Sequence, residues 1–148
     1  MESVLSLRDL RSSSSIVDMR YARSVLEQGY ARLLNAKPDG VLDLVDCGDF
    51  WQTGSDVTLL HALLFLLEFV STLNLPSVGS ERIETKGRSV LIPIRIRGVG
   101  AEASIDIDFT VAHLWTFRED GAIAFQWFVS LDDACRALER LARTPQHE

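Results

Sequence analysis

Cysteine is scarce in this chain. Its 148 residues hold two, Cys47 and Cys135, with neither a CxxC nor a CxxH spacing. That argues against a zinc site and against a disulfide framework, and free thiols suit a reducing cytoplasm. Basic charge is short as well. Lys and Arg number 15 against 21 Asp and Glu, a net charge of −6, which speaks against a broad nucleic-acid-binding face. The most apolar run, Leu59 to Val70, is too short to cross a bilayer and contains His61 and Glu68. The opening residues, MESVLSLRDLRSSSS, are too polar for a secretory signal. A Gly-rich phosphate loop, a metal-ligand cluster and a nucleophile elbow are all missing, so neither metal nor organic cofactor is expected. A cytoplasmic protein with no nucleic-acid or membrane partner is the expectation.

What is present is an apolar fraction of 47 % with charges mixed along the chain, the composition of a globular domain. The length argues for one domain. Residues 1–15 read as a flexible tail, because the serine run cannot repay its ordering entropy. A domain over 16–142 and a frayed tail over 143–148 follow. Ala22, Leu26, Tyr30, Leu33 and Leu34 fall on one stripe at helical spacing, which predicts a helix over about 16–35. Pro38-Asp39-Gly40 ends it. A short second helix near 40–46 carries Val41, Leu42, Leu44 and Val45. A third starts at Ser55 as N-cap and runs to about Leu73. It is apolar nearly all round, so cover on both sides is expected. Asn74 to Gly79 reads as a connection.

From Glu81 the hydrophobic period changes to two. Turns at Lys86-Gly87, Gly98-Val99-Gly100 and Asp120-Gly121 predict four antiparallel strands, the third running over about 102–117. Pro93 falls inside a strand, which is tolerated where the neighbouring strand has ended. Ser130-Leu131-Asp132-Asp133 resembles a capping box and predicts a final helix over 131–142.

The alternation on the third strand puts Ile105, Ile107, Phe109, Val111, His113, Trp115 and Phe117 on one face, the buried one. His113 is its only ionisable member. If Asp120-Gly121 forms a two-residue loop, the favoured hairpin chemistry, then Phe117 faces Ala124, Trp115 faces Gln126 and His113 faces Phe128. Gln126 would be a second inner polar group. Leu114, Phe125 and Trp127 would share the other face, too apolar for water, and a homodimer packing sheet to sheet is the expected cover.

Two stretches carry a family resemblance: YARLLNAKPDGVLDLVDCGDFW (30–51) and HLWTFREDGAIAFQWFVSLDDA (113–134). With three helices, a long bent antiparallel sheet and a terminal helix over 16–140, the chain resembles the nuclear transport factor two-like superfamily. More closely it is similar to the SnoaL-like branch related to ketosteroid isomerase. The resemblance implies an α+β, cone-shaped roll: three N-terminal helices packed on a bent antiparallel sheet, plus a C-terminal helix, enclosing one pocket. In ketosteroid isomerases a helix tyrosine and a protonated hairpin aspartic acid donate hydrogen bonds to a developing oxyanion. By pattern Tyr30 matches the tyrosine and His113 the aspartic acid. The general base of that family would fall near Gly54, where the chain reads Trp51-Gln52-Thr53-Gly54-Ser55-Asp56 and carries no acid at the matching place.

The candidate catalytic residues are therefore His113 and Tyr30. Trp51, Trp115, Phe117, Gln126 and Phe128 are the candidates for ligand contact. Each has a plainer reading as core. Asp106 and Asp108 lie on the face opposite His113, where Arg95 and Arg97 can pair with them. His61 reads as a core histidine or a further pocket group. Two functions stay open. One is an isomerase or cyclase doing acid–base chemistry on an apolar, carbonyl-containing, polyketide- or steroid-like molecule. The other is a non-catalytic ligand-binding or dimeric interaction protein.

Overall fold

The computed structural model describes residues 18–36, 55–80, 82–100, 105–118 and 123–143. The expected second helix, Trp51, Gly54, the Asp56 side chain, the Asp120-Gly121 turn and both tails lie outside them. The chain is α+β. Helix α1 is Met19–Ala36 and α2 is Ser55–Ser71; then come β1 (Leu73–Ser80), β2 (Glu84–Lys86), β3 (Ser89–Gly100), β4 (Asp106–Phe117) and β5 (Ile123–Phe128), and α3 is Leu131–Arg143. The strands form one open antiparallel sheet in the order β1-β3-β4-β5, with β2 also on β3. Among the described residues no helix is long and apolar enough to cross a membrane.

Helix α1 starts three residues later than its apolar spacing suggested because Asp18 caps it. The Asp18 carboxylate accepts from the Arg20 amide at 2.9 Å, which satisfies a donor the helix itself cannot use. At α3 the expected cap is present: Ser130 Oγ accepts from the Asp133 amide at 3.2 Å. Asp132 and Asp133 lie in its first turn and Arg140 and Arg143 in its last, each sign at the end the helix dipole favours.

Residues 74–79, expected as a connection, instead belong to β1. The strand is interrupted by an irregularity between Asn74 and Ser77, and Leu75 there has φ 52° with 86 % of its surface exposed. A bulge with a proline on an edge strand blunts the edge against further pairing. The glycines at 98–100 do not turn; they continue β3. Gly98 is needed there because a Cβ would meet Leu73 Cβ at 3.1 Å and the Asn74 carbonyl at 3.2 Å. Pro93 falls between the last β2–β3 pair, Glu84 with Leu91, and the first β1–β3 pair, Ser80 with Ile94. The proline therefore occupies the gap where one neighbour hands over to the next. The β2–β3 turn lies one residue further on than expected, with Lys86 paired to Ser89 and Gly87 at φ 56°, a conformation that suits glycine.

The sheet is covered on both faces by the chain's own helices. Val90, Ile92, Ile94, Ile96, Val111, Trp115, Phe117, Ile123 and Phe125 form the main core with α1 and α2. On the reverse face Leu91, Ala112 and Leu114 pack with Ala134, Ala137 and Leu138 of α3. Beyond α3 the reverse face is polar, and Arg95 clasps Asp108 through both guanidinium edges at 3.0 and 2.7 Å. This is the cross-strand pairing its register allows, and Arg95 holds the Asp108 carboxyl below its ordinary range. Helix α2 is not covered all round, since Val57, Leu64 and Phe65 are exposed.

The closing hairpin departs from its expected register by one residue. Phe117 pairs with Ile123, Trp115 with Phe125 and His113 with Trp127. The connection between the strands therefore has an odd number of residues, not the even number a two-residue loop gives. Phe125 and Trp127 consequently join the His113 face, while Gln126 and Phe128 move to the reverse. The expected partner face of Leu114, Phe125 and Trp127 does not exist as a unit. Leu114 lies under α3, Phe125 is in the main core, and Trp127 packs against that core.

Candidate functional site

His113 sits on β4, a strand flanked on both sides, where it is paired with Ile92 of β3 and Trp127 of β5. Alternation along β4 turns its ring inward, toward α1, as the sequence indicated. The ring is fully buried. Its Nδ1 lies 2.6 Å from the Tyr30 hydroxyl, and the Trp115 indole N–H donates to that same hydroxyl at 3.0 Å. Tyr30 is placed by the α1 stripe, one residue of which faces the sheet every turn or so. Trp115 stands two residues along β4 from His113, hence on the same face. Three side chains from two elements thus form one continuous buried hydrogen-bonded chain.

Among the described residues the surroundings are otherwise apolar and aromatic. Phe125 meets His113 edge-on at 5.2 Å between ring centroids and Trp115 likewise at 5.2 Å. Burial lowers the His113 pKa from 6.5 to about 3. The imidazole is therefore neutral at physiological pH, since a charge there would be stripped of water. Its Nε2 is buried and has no hydrogen-bond partner among the described residues. A buried polar atom left unpaired costs about 1–3 kcal/mol, and most buried polar groups do find partners.

The structure brings together His113, Tyr30 and Trp115 from the sequence candidates. Phe117 shares their core but stands at the far end of β4, where its carbonyl accepts from Arg88 Nε at 3.0 Å. Gln126 and Phe128 are not in the site. Gln126 pairs with Leu114 and is exposed on the reverse face, and Phe128 packs in the α3 cluster. His61, considered as a core or pocket group, is exposed on α2. Phe125 was missed as a neighbour of His113. The alternation Ile123, Phe125, Trp127 against Ala124, Gln126, Phe128 was the available signal, and the more apolar set is the inward one. Trp115 was expected as a pocket wall; its indole N–H makes it a hydrogen-bonding member of the chain as well. Among the described residues no group of three or more His, Cys, Asp or Glu is placed to hold a metal ion.

Comparison with solved structures finds a likeness to a protein from Jannaschia sp. CCS1 named as a SnoaL-like polyketide cyclase. The two are 18 % identical with a TM-score of 0.35, over 59 % of this chain and 63 % of that one. The aligned part is thus less than two thirds of that protein's length, and at this level the likeness decides neither ligand nor activity. No protein-family model matches the chain, and no curated protein matches it.

Proposed function

We propose that this chain is a small-molecule-binding protein of the SnoaL-like kind, and that its ligand is apolar with a polar group received by His113. One observation carries the reading: a fully buried imidazole has one nitrogen held by Tyr30 and the other without a hydrogen-bond partner among the described residues. A ligand atom at Nε2 would supply the missing hydrogen bond and recover the cost of leaving it unmade. The aromatic surroundings suit an apolar skeleton, and a few placed polar groups among apolar walls are how such sites achieve orientation.

Within that reading the proposed chemistry is isomerisation or cyclisation next to a carbonyl in a polyketide- or steroid-like molecule. His113 is the group at the reacting centre. A second reading, ligand binding without turnover, is favoured by the lowered His113 pKa, because a histidine so reluctant to take a proton makes a poor general base at neutral pH. Neither reading uses a dimer interface at Leu114, Phe125 and Trp127, which the chain's own helices cover.

Native mass spectrometry of the purified protein tests the proposal. A retained small molecule that is lost in His113→Phe supports it. A wild-type protein that carries no such molecule and takes up none from a panel of apolar carbonyl compounds refutes it.

A further inference from the structure

Helix α2 presents two faces. Leu59, Ala62, Leu63 and Leu66 turn into the main core. On the other side Leu64 is 44 % and Phe65 37 % exposed, and His61, Glu68 and Ser71 are exposed with them. His61, Leu64, Glu68 and Ser71 follow one another at steps of three, four and three residues, the spacing of a seam between two helices. Phe65 flanks that seam and is held by its neighbours, stacked on Phe69 at 5.9 Å and tilted against Trp127 at 5.4 Å between ring centroids. An apolar side chain already fixed in place loses little freedom on being covered.

The charges on the stripe select its occupant. Helix α2 contains neither lysine nor arginine, so it offers nothing to an anionic lipid surface. His61 and Glu68 are equidistant from the point midway between Leu64 and Phe65. Two copies laid antiparallel about a twofold axis through that point set His61 of each opposite Glu68 of the other, and Leu64 of each against Phe65 of the other. A parallel pair would set histidine beside histidine and glutamate beside glutamate. Charged or neutral, an imidazole has an N–H to give the carboxylate, so the match holds in either state. We infer that α2 is a self-association surface and that its partner is a second copy of this chain, packed antiparallel with two His61–Glu68 pairs flanking Leu64 and Phe65. Such an isologous contact uses each residue twice. It is distinct from the sheet-face dimer expected from the sequence and uses none of Tyr30, His113 and Trp115. A helix of 17 residues is about 25 Å long and gives a contact at the small end of specific interfaces. The dimer is therefore reversible, with a dissociation constant of about 10–100 µM.

Sedimentation equilibrium of the full-length chain tests this, from about 5 to about 500 µM. Salt at about 0.15 M screens the repulsion between two acidic copies. The wild type is expected to pass from monomer toward dimer over that range. Leu64→Lys, at an exposed position, should keep its circular dichroism spectrum and stay monomeric. His61→Glu sets a carboxylate opposite Glu68, and Glu68→Lys sets an ammonium opposite His61. Each variant alone should associate about tenfold more weakly or worse. A 1:1 mixture of the two should regain the dimer, because the new carboxylate then faces the new ammonium while the native histidine faces the native glutamate. A wild type that is monomeric throughout overturns the inference, and so does a dimer that survives Leu64→Lys. A dimer lost in Leu64→Lys, with charge variants that fail to recover on mixing, overturns the antiparallel pairing. The ligand reading of the His113 site stands or falls separately from all of these outcomes.

Discussion

Acidification is expected to destabilise the fold through His113. In the unfolded chain this histidine titrates near 6.5; in the folded protein burial holds it at about 3. Between those values the unfolded state binds a proton that the folded state refuses. Stability therefore rises with pH through this window. The contribution is complete above 6.5 and is lost progressively as pH falls toward 3. Each unit of separation is worth about 1.4 kcal/mol, so lowering the pH from about 7.5 to about 5 should cost about 2 kcal/mol. That is a large part of a typical folding free energy. Arg95 and Lys86 lower the pKa values of Asp108 and Glu139 from 3.8 and 4.5, so their contributions are lost only as pH falls through those unfolded values, below the interval from about 7.5 to about 5. The assay is urea unfolding followed by tryptophan fluorescence at a series of pH values, with His113→Gln as the non-titrating control. The wild type should lose about 2 kcal/mol more than the variant over this interval. Parallel curves for the two proteins would show that His113 is not a buried neutral group, and the account of the site would fail with it.

Replacing Tyr30 by Phe removes the one hydroxyl that serves both Trp115 and His113; a loss of about 2–3 kcal/mol is expected in urea unfolding, and a neutral outcome would mean the chain of bonds does not persist in solution. Ser130→Ala takes away the α3 cap and should lower stability by about 1 kcal/mol, seen as a reduced urea midpoint at unchanged slope. Leu75→Gly should do the reverse. It relieves a left-handed backbone at φ 52° on a side chain that buries almost nothing, and a gain of up to about 1 kcal/mol in thermal or urea unfolding is expected; a loss would show that Leu75 has a contact not accounted for.

Much of this architecture was legible in the sequence, and the parts that were not share a cause. The His113 face of β4 was readable because the alternate positions from Ile107 to Phe117 are apolar apart from the histidine, a pattern too long to arise from a loop; Ile105, expected on the same buried face, lies before β4 and is exposed. The α3 cap was readable because serine followed by two aspartates has few other uses at the start of an apolar stripe. By contrast β1, LNLPSVGS, offers only three apolar residues, a proline and a glycine. It is a strand because β3 extends beyond β2 and has ladder groups to satisfy, and that need is invisible in the segment's own composition. The Tyr30–His113 contact spans 83 residues. Family pattern suggested both residues, but the length and direction of the bond depend on how α1 lies across the sheet, which no local signal encodes.

The misread hairpin register shows which physical term governs such a choice. A two-residue loop at Asp120-Gly121 satisfies turn chemistry, and violating a turn's backbone preference costs about 1–2 kcal/mol. The same loop would turn Ile123, Phe125 and Trp127 away from α1 and α2 and put Ala124, Gln126 and Phe128 in their place. Fully burying one large apolar side chain is worth about 1.5–3 kcal/mol, and Phe125 is buried in the main core while Trp127 rests on Phe65 at 5.4 Å between rings. Two such contacts outweigh the turn preference, and a buried Gln126 would add unpaired amide groups to the wrong side of the balance. The register of β5 therefore follows burial and not the two-residue loop. The consequence reaches the site: with Gln126 outside, the Trp115–Tyr30–His113 chain is the polar feature that faces the aromatic core among the described residues.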